Sequence, residues 1–139
     1  MTIADLATVE SLILKRFKAQ VETPNGLSGF VDYPNQPFRK PATSSTWCRV
    51  RVQTTAGEEM FLFAGKVDRA RGNLVVQCFS PAGAGHATAN DFAWAVVRAF
   101  SGQEVDGIRY LATAPIQVGQ AEGSYQINVV VPWVADETS

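Results

Sequence analysis

The chain has 139 residues, about one domain's worth of polypeptide and too little for two ordinary catalytic domains. An apolar fraction of 46% supports a buried core, and a charged fraction of 18% argues against wholesale disorder. Twelve Lys and Arg against thirteen Asp and Glu leave a formal charge of -1, so no basic field advertises nucleic-acid binding, and contact with DNA has to be local or indirect.

Ile3, Leu6, Val9, Ile13 and Phe17 recur at intervals of three and four and predict an amphipathic opening helix. Thr2 with Asp5 reads as its capping box, and Thr23-Pro24-Asn25-Gly26 as its end. From about Thr23 to Ser45, Pro24, Pro34, Pro37 and Pro41 alternate with Phe30, Tyr33 and Phe38, and Arg39 adjoins Lys40. This predicts an extended arm with a short strand near Phe30-Val31. A free linker rarely carries three aromatic residues, so the arm packs on its own core or on a neighbour.

Trp47 to Thr54 places Cys48, Val50 and Val52 on one face and Arg49, Arg51 and Gln53 on the other, the signature of a half-buried strand. Thr55-Ala56-Gly57-Glu58 reads as a turn into a second strand, Met60 to Ala64. Lys66 to Gly72 reads as a charged connector, and Asn73 to Phe79 as a third strand. A second helix is expected from about Thr88 to Ser101, closed by Gly102 in a left-handed conformation. Gln103 to Thr113 predicts a short strand with a turn at Asp106-Gly107. A final hairpin joins Ile116-Gln117-Val118 to Tyr125 through Val134, and residues 136–139 form a solvated acidic tail. The order describes one α+β domain over residues 1–139, with both helices on one face of a mostly antiparallel sheet and the long Pro/aromatic arm.

Cys48 and Cys78 are too few for a disulfide scaffold and read as buried thiols. The sole histidine, His86, and the lack of any Cys-x-x-Cys leave no metal-ligand spacing. The longest apolar stretch, around Val129 to Ala135, is far short of the ~20 residues that span a bilayer, and the N-terminus has no basic segment before an apolar one, as a secretory signal has. Gly83-Ala84-Gly85-His86 precedes a helix, yet Thr88 stands where a dinucleotide fingerprint needs its third glycine. The carboxylates sit mainly at predicted turns, where they satisfy backbone groups. No catalytic inventory and no cofactor site is assembled. Basic residues gather on the strand, as Arg49 and Arg51, and on the connector, as Lys66, Arg69 and Arg71. These meet phosphates or a partner's carboxylates, or they keep an exposed sheet face soluble.

Taken in order, the opening helix, Tyr33-Pro34-Asn35 with Phe38, Trp47-Cys48-Arg49-Val50-Arg51-Val52, Arg69-Ala70-Arg71-Gly72 before Leu74 to Phe79, and Pro81 to Gly85 form one pattern. Val118-Gly119, Gly123 to Val129 and Val131-Pro132-Trp133 complete it. Across nearly the whole chain this pattern resembles the tail terminator-like proteins of long-tailed bacteriophages. The resemblance implies a structural virion protein without catalytic residues. Such proteins form a ring, usually of six subunits, at the head-proximal end of the tail tube, after assembly in the host cytoplasm. The implied partners are copies of itself, the tail tube protein and a head-tail connector or stopper, with DNA only passing through the lumen and no membrane.

Ring closure needs a heterologous interface. Phe30, Tyr33, Phe38, Arg39 and Lys40 are its first candidates, with a strand edge in the final hairpin adding pairing. Arg49, Arg51, Lys66, Arg69 and Arg71 are candidates to face tube, connector or lumen. Rival readings are a head-tail joining or tail tube subunit, or a small ligand-binding α+β domain with Trp94, Trp133 and His86 lining a pocket.

Overall fold

A computed structural model of the chain describes residues 6–27, 29–34, 36–39, 46–62, 65–81, 87–121 and 124–138. The opening periodicity becomes α1, Leu6–Phe17, with Val9, Ile13 and Phe17 buried at the four-residue spacing that stacks side chains on one helix face. The chain then widens into a π-helical turn, Lys18–Glu22, in which the Thr23 amide donates to the Lys18 carbonyl five residues back at 3.0 Å. Asn25 closes it, its backbone and side-chain amides both donating to the Val21 carbonyl, at 3.3 and 2.8 Å. The Thr2–Asp5 capping box lies outside the described residues.

The arm contains β1, Val31–Asp32, which runs parallel to the start of β2, Trp47–Leu62. β2 pairs antiparallel along its length with β3, Gly65–Pro81. The chain departs from the sequence pattern at two places. Thr55 to Glu58 is not a turn but the interior of β2, where the register shifts between Thr54 and Ala56; a bulge absorbs a residue without ending the ladder. Lys66 to Gly72 is not a connector but the first part of β3. The three strands expected there are therefore two long ones. β3 is held extended because β2 pairs it on one side and β7, Ser124–Thr138, on the other.

Gly72 looks like a turn residue in the sequence, yet its role is close approach. A Cβ there would overlap the Gln53 carbonyl oxygen and lie 2.8 Å from Cζ2 of Trp133. Only glycine lets the bulged β2 and the Trp133 ring meet at that point.

α2, Ala87–Phe100, buries Ala89, Ala93, Val96 and Phe100, and Gly102 ends it with a φ of 72°. β4, Glu104–Val105, and β5, Ile108–Tyr110, form a hairpin. Its turn residues Asp106 and Gly107 both have positive φ, 56° and 78°, the twist-matched geometry of a two-residue turn. β6, Pro115–Ala121, forms a second hairpin with β7. Residues 136–138, expected as a solvated tail, continue β7 and pair with β3.

The strand order is β1-β2-β3-β7-β5-β4, with β6 on β7 beside β5. All pairings but β1-β2 are antiparallel. Both helices share one core with Cys48, Val50, Leu74, Val76, Ile127, Val129 and Val131 on one face of the sheet, the α+β arrangement that the patterning predicts. Arg16 of α1 ties the layer together, donating from Nε at 2.9 Å and Nη2 at 2.6 Å to the Ala99 carbonyl at the end of α2.

Candidate assembly surfaces

The arm folds back on its own chain. The Tyr33 ring meets Phe17 edge-on, centroids 6.1 Å apart, and its hydroxyl donates to the Glu22 carboxylate at 3.1 Å. Burial, and then the charge of Glu22, hold the Tyr33 phenol above its ordinary pKa. Phe38 stacks on Trp47 at 5.5 Å, and Trp47 on its cross-strand neighbour Phe79 at 4.3 Å. These rings lie on the face of β2 turned away from the helices. Of the arm's three aromatic residues, Phe30 is the exposed one, at 37%. Arg39 is exposed, and Lys40 lies outside the described residues.

Arg49 and Arg51 point to the outer face, as the alternation predicts, with side chains 41% and 40% exposed. A carboxylate of the same chain already meets them. Asp32 Oδ2 lies 3.1 Å from Arg49 Nε and 3.2 Å from Arg51 Nη2, and Arg51 also donates to the Asp32 carbonyl at 2.9 Å. The Arg49 guanidinium lies over Trp47 and Phe79, 5.3 and 5.9 Å from the ring centroids. The two arginines and the ring stack thus clamp the arm to β2. Sequence reasoning missed Asp32, whose place between the arginines depends on the parallel register of β1.

Lys66, Arg69 and Arg71 belong to a paired strand rather than to a connector. The register sets Arg69 across from Glu58 on β2 and Asp136 on β7. Arg71 is exposed and engaged in a contact of its own.

A third surface was only partly legible in the sequence. β6 has one side paired to β7 and, among the described residues, none on the other. It exposes Ile116 at 56% and Val118 at 53%, and Leu111 and Trp94 are also exposed. Pro115 to Ala121 contains no charged residue, the signal that could have marked the edge.

The two tryptophans of the ligand-pocket reading do not converge. Trp133 is buried in the core at 1% exposure, Trp94 stands on the surface of α2, and His86 lies outside the described residues. The clefts beside α1 and α2 are lined by other residues, Gln20, Ala95 and Arg98 in one, Leu12, Lys15 and Asp106 in another. Among the described residues no cluster of His, Cys, Asp and Glu is placed to hold a metal ion, and no helix is long and apolar enough to cross a membrane. Cys48 and Cys78 are buried free thiols, as expected.

A sequence profile described as phage tail terminator protein matches residues 8–133. No curated protein matches the sequence. Among the solved structures that match, one is similar over 94% of this chain and 95% of its own, with a TM-score of 0.57 at 14% identity. At that identity the likeness shows a shared fold.

Proposed function

The chain belongs to the phage tail terminator protein family, and from that premise we propose that it closes into a ring, of six copies, on the head-proximal end of the tail tube. There it stops tube growth and offers its other face to the connector or stopper. The single observation that carries this reading is the family match across 126 of 139 residues, counted from 8 to 133.

The fold supplies a mechanism that needs no bond made or broken. The sheet has two unlike edges, β1-β2 at one end and β6 with the β4-β5 hairpin at the other. Unlike patches on one subunit are what a heterologous, head-to-tail ring requires. Termination is then the difference between the ring's two faces: one matches a tube subunit, and the other does not recruit the next. A near-neutral subunit, at a formal charge of -1, also suits DNA that passes without being held, since phosphate neutralisation is what makes binding tight.

Adding the purified chain to polymerising tube subunits tests the reading. The expected result is a discrete oligomer by light scattering and tubes that stop at a ring visible by electron microscopy. Tubes that elongate unchanged, or a chain that itself forms filaments, would overturn it.

A further inference from the structure

One unbroken lateral row crosses five strands of the sheet. Val31 lies beside Cys48, Cys48 opposite Cys78, Cys78 opposite Ile127, and Ile127 opposite Gln117. A second row runs from Asp32 through Arg49, Gln77 and Asn128 to Ile116. Each row begins on β1 and ends on β6, and among the described residues each of these strands has one side without a partner strand.

We propose that β1 of one copy adds to the free side of β6 of the next, so that the sheet continues from subunit to subunit. The inference rests on the ring reading above and names the surface that closes the ring.

Three observations support it. The first is height. A closed ring has no rise along its axis, whereas any rise makes a helix. With the strands along that axis, residues of adjacent copies meet at equal height, and Val31 and Gln117 already end the same lateral row on opposite edges.

The second is direction. β1 runs with β2, β3 runs against them, β7 runs with them, and β6 runs against β7. A copy rotated about an axis along the strands therefore brings β1 antiparallel to β6, the better-bonded pairing. Hydrogen-bonding groups stand ready. The Phe30 carbonyl accepts from the Cys48 amide on the β2 side at 2.9 Å, so the alternation of a strand turns the Val31 amide and carbonyl outward.

The third is the character of the two edges. Natural edge strands are commonly guarded by charge, proline or a bulge; Pro115 to Ala121 has no charge, its proline stands at the start of β6, and its register shifts between Gln117 and Gly119. Ile116 and Val118 are exposed on β6, and Phe30 is exposed next to Val31. The occupant that fits both the height and the direction is a second copy of this chain.

The test uses exposed positions that leave the core untouched. Phe30→Cys and Val118→Cys chains are mixed, alone and with tail tubes, and oxidised with copper phenanthroline. Covalent dimers are expected in the mixture and not in either variant by itself, because the contact is between unlike edges. Rings of wild-type mass without that cross-link would place the neighbour elsewhere and overturn the inference while the ring reading stood. A wild-type chain that stayed monomeric beside tubes would overturn both. Val118→Lys is the second variant, with folding checked by circular dichroism. Its ring population should fall at least about tenfold, since a lysine guards the edge against pairing; unchanged assembly would sink the proposal.

Discussion

Cys48 and Cys78 stand directly opposite one another on β2 and β3 with their sulfurs 3.9 Å apart. The Cys48 amide is turned away from β3, toward Phe30, so the two form the close, non-hydrogen-bonded kind of antiparallel pair. The contact with Cys48 and then burial push the Cys78 thiol up, which suppresses the thiolate that any exchange requires. Glutathione disulfide should leave the native chain reduced for hours. In mild urea, which opens the sheet, it should yield an intramolecular disulfide, a loss of about 2 Da by mass spectrometry with release of two glutathione thiols. Mixed or intermolecular disulfides as the main product would show that the pairing does not persist.

Alkaline stability should be set by buried phenols. Burial pushes Tyr110 from 10.0 up to about 12, with Arg16 acting in the other direction and Asp106 adding to the rise. Tyr33 is raised as well. A phenol that ionises less readily in the folded chain binds its proton more tightly there, so its stabilisation is intact below about pH 10. It is lost as pH rises toward 12. Tyrosinate absorbance should therefore appear in step with loss of circular dichroism over that window. Tyr110→Phe should move the transition to higher pH. Free titration of Tyr33 and Tyr110 near pH 10 in a folded chain would contradict this.

Gly72→Ala should be among the most damaging single substitutions. The added methyl overlaps the Gln53 carbonyl and presses on Trp133, and neither the bulged backbone nor a fully packed ring gives way cheaply. A loss of about 3 kcal/mol or more is expected, read as a fall in the urea midpoint. A change of a few tenths would mean that the bulge relaxes.

Arg16→Ala removes both donors from the Ala99 carbonyl and the cation over the Phe100 ring. Because this carbonyl lies at the end of α2, the expected cost is about 1.5 kcal/mol, the range for hydrogen bonds from a charged group. Arg16→Lys should recover part of it. Thermal unfolding of the three chains checks the order.

Asp32→Asn weakens the link that holds the arm to β2. Both arginines are substantially exposed, so the global loss should stay near about 0.5–1 kcal/mol. The local effect should be larger. Limited proteolysis within residues 33–45 should accelerate several-fold, and added salt should speed cleavage of the wild type more than of the variant. Equal cleavage of the two chains would show that the ring stack alone holds the arm.

The sequence by itself determined the class of the fold and much of its local structure. Val9, Ile13 and Phe17 on α1, the alternation from Trp47 to Thr54, the Asp106-Gly107 turn and the Gly102 helix stop are read from periods and backbone preferences. These depend only on neighbours along the chain. Tertiary structure alone decided that Thr55 to Glu58 and Lys66 to Gly72 are strand. Their local chemistry favours turns, and only pairing on both sides of β3 outweighs it. It also decided that Gly72 admits Trp133, that Asp32 sits between Arg49 and Arg51, and that Val31 and Gln117 end one lateral row at opposite edges. Such relations follow from the register between strands distant in the chain, and register is set by how a whole sheet buries one face.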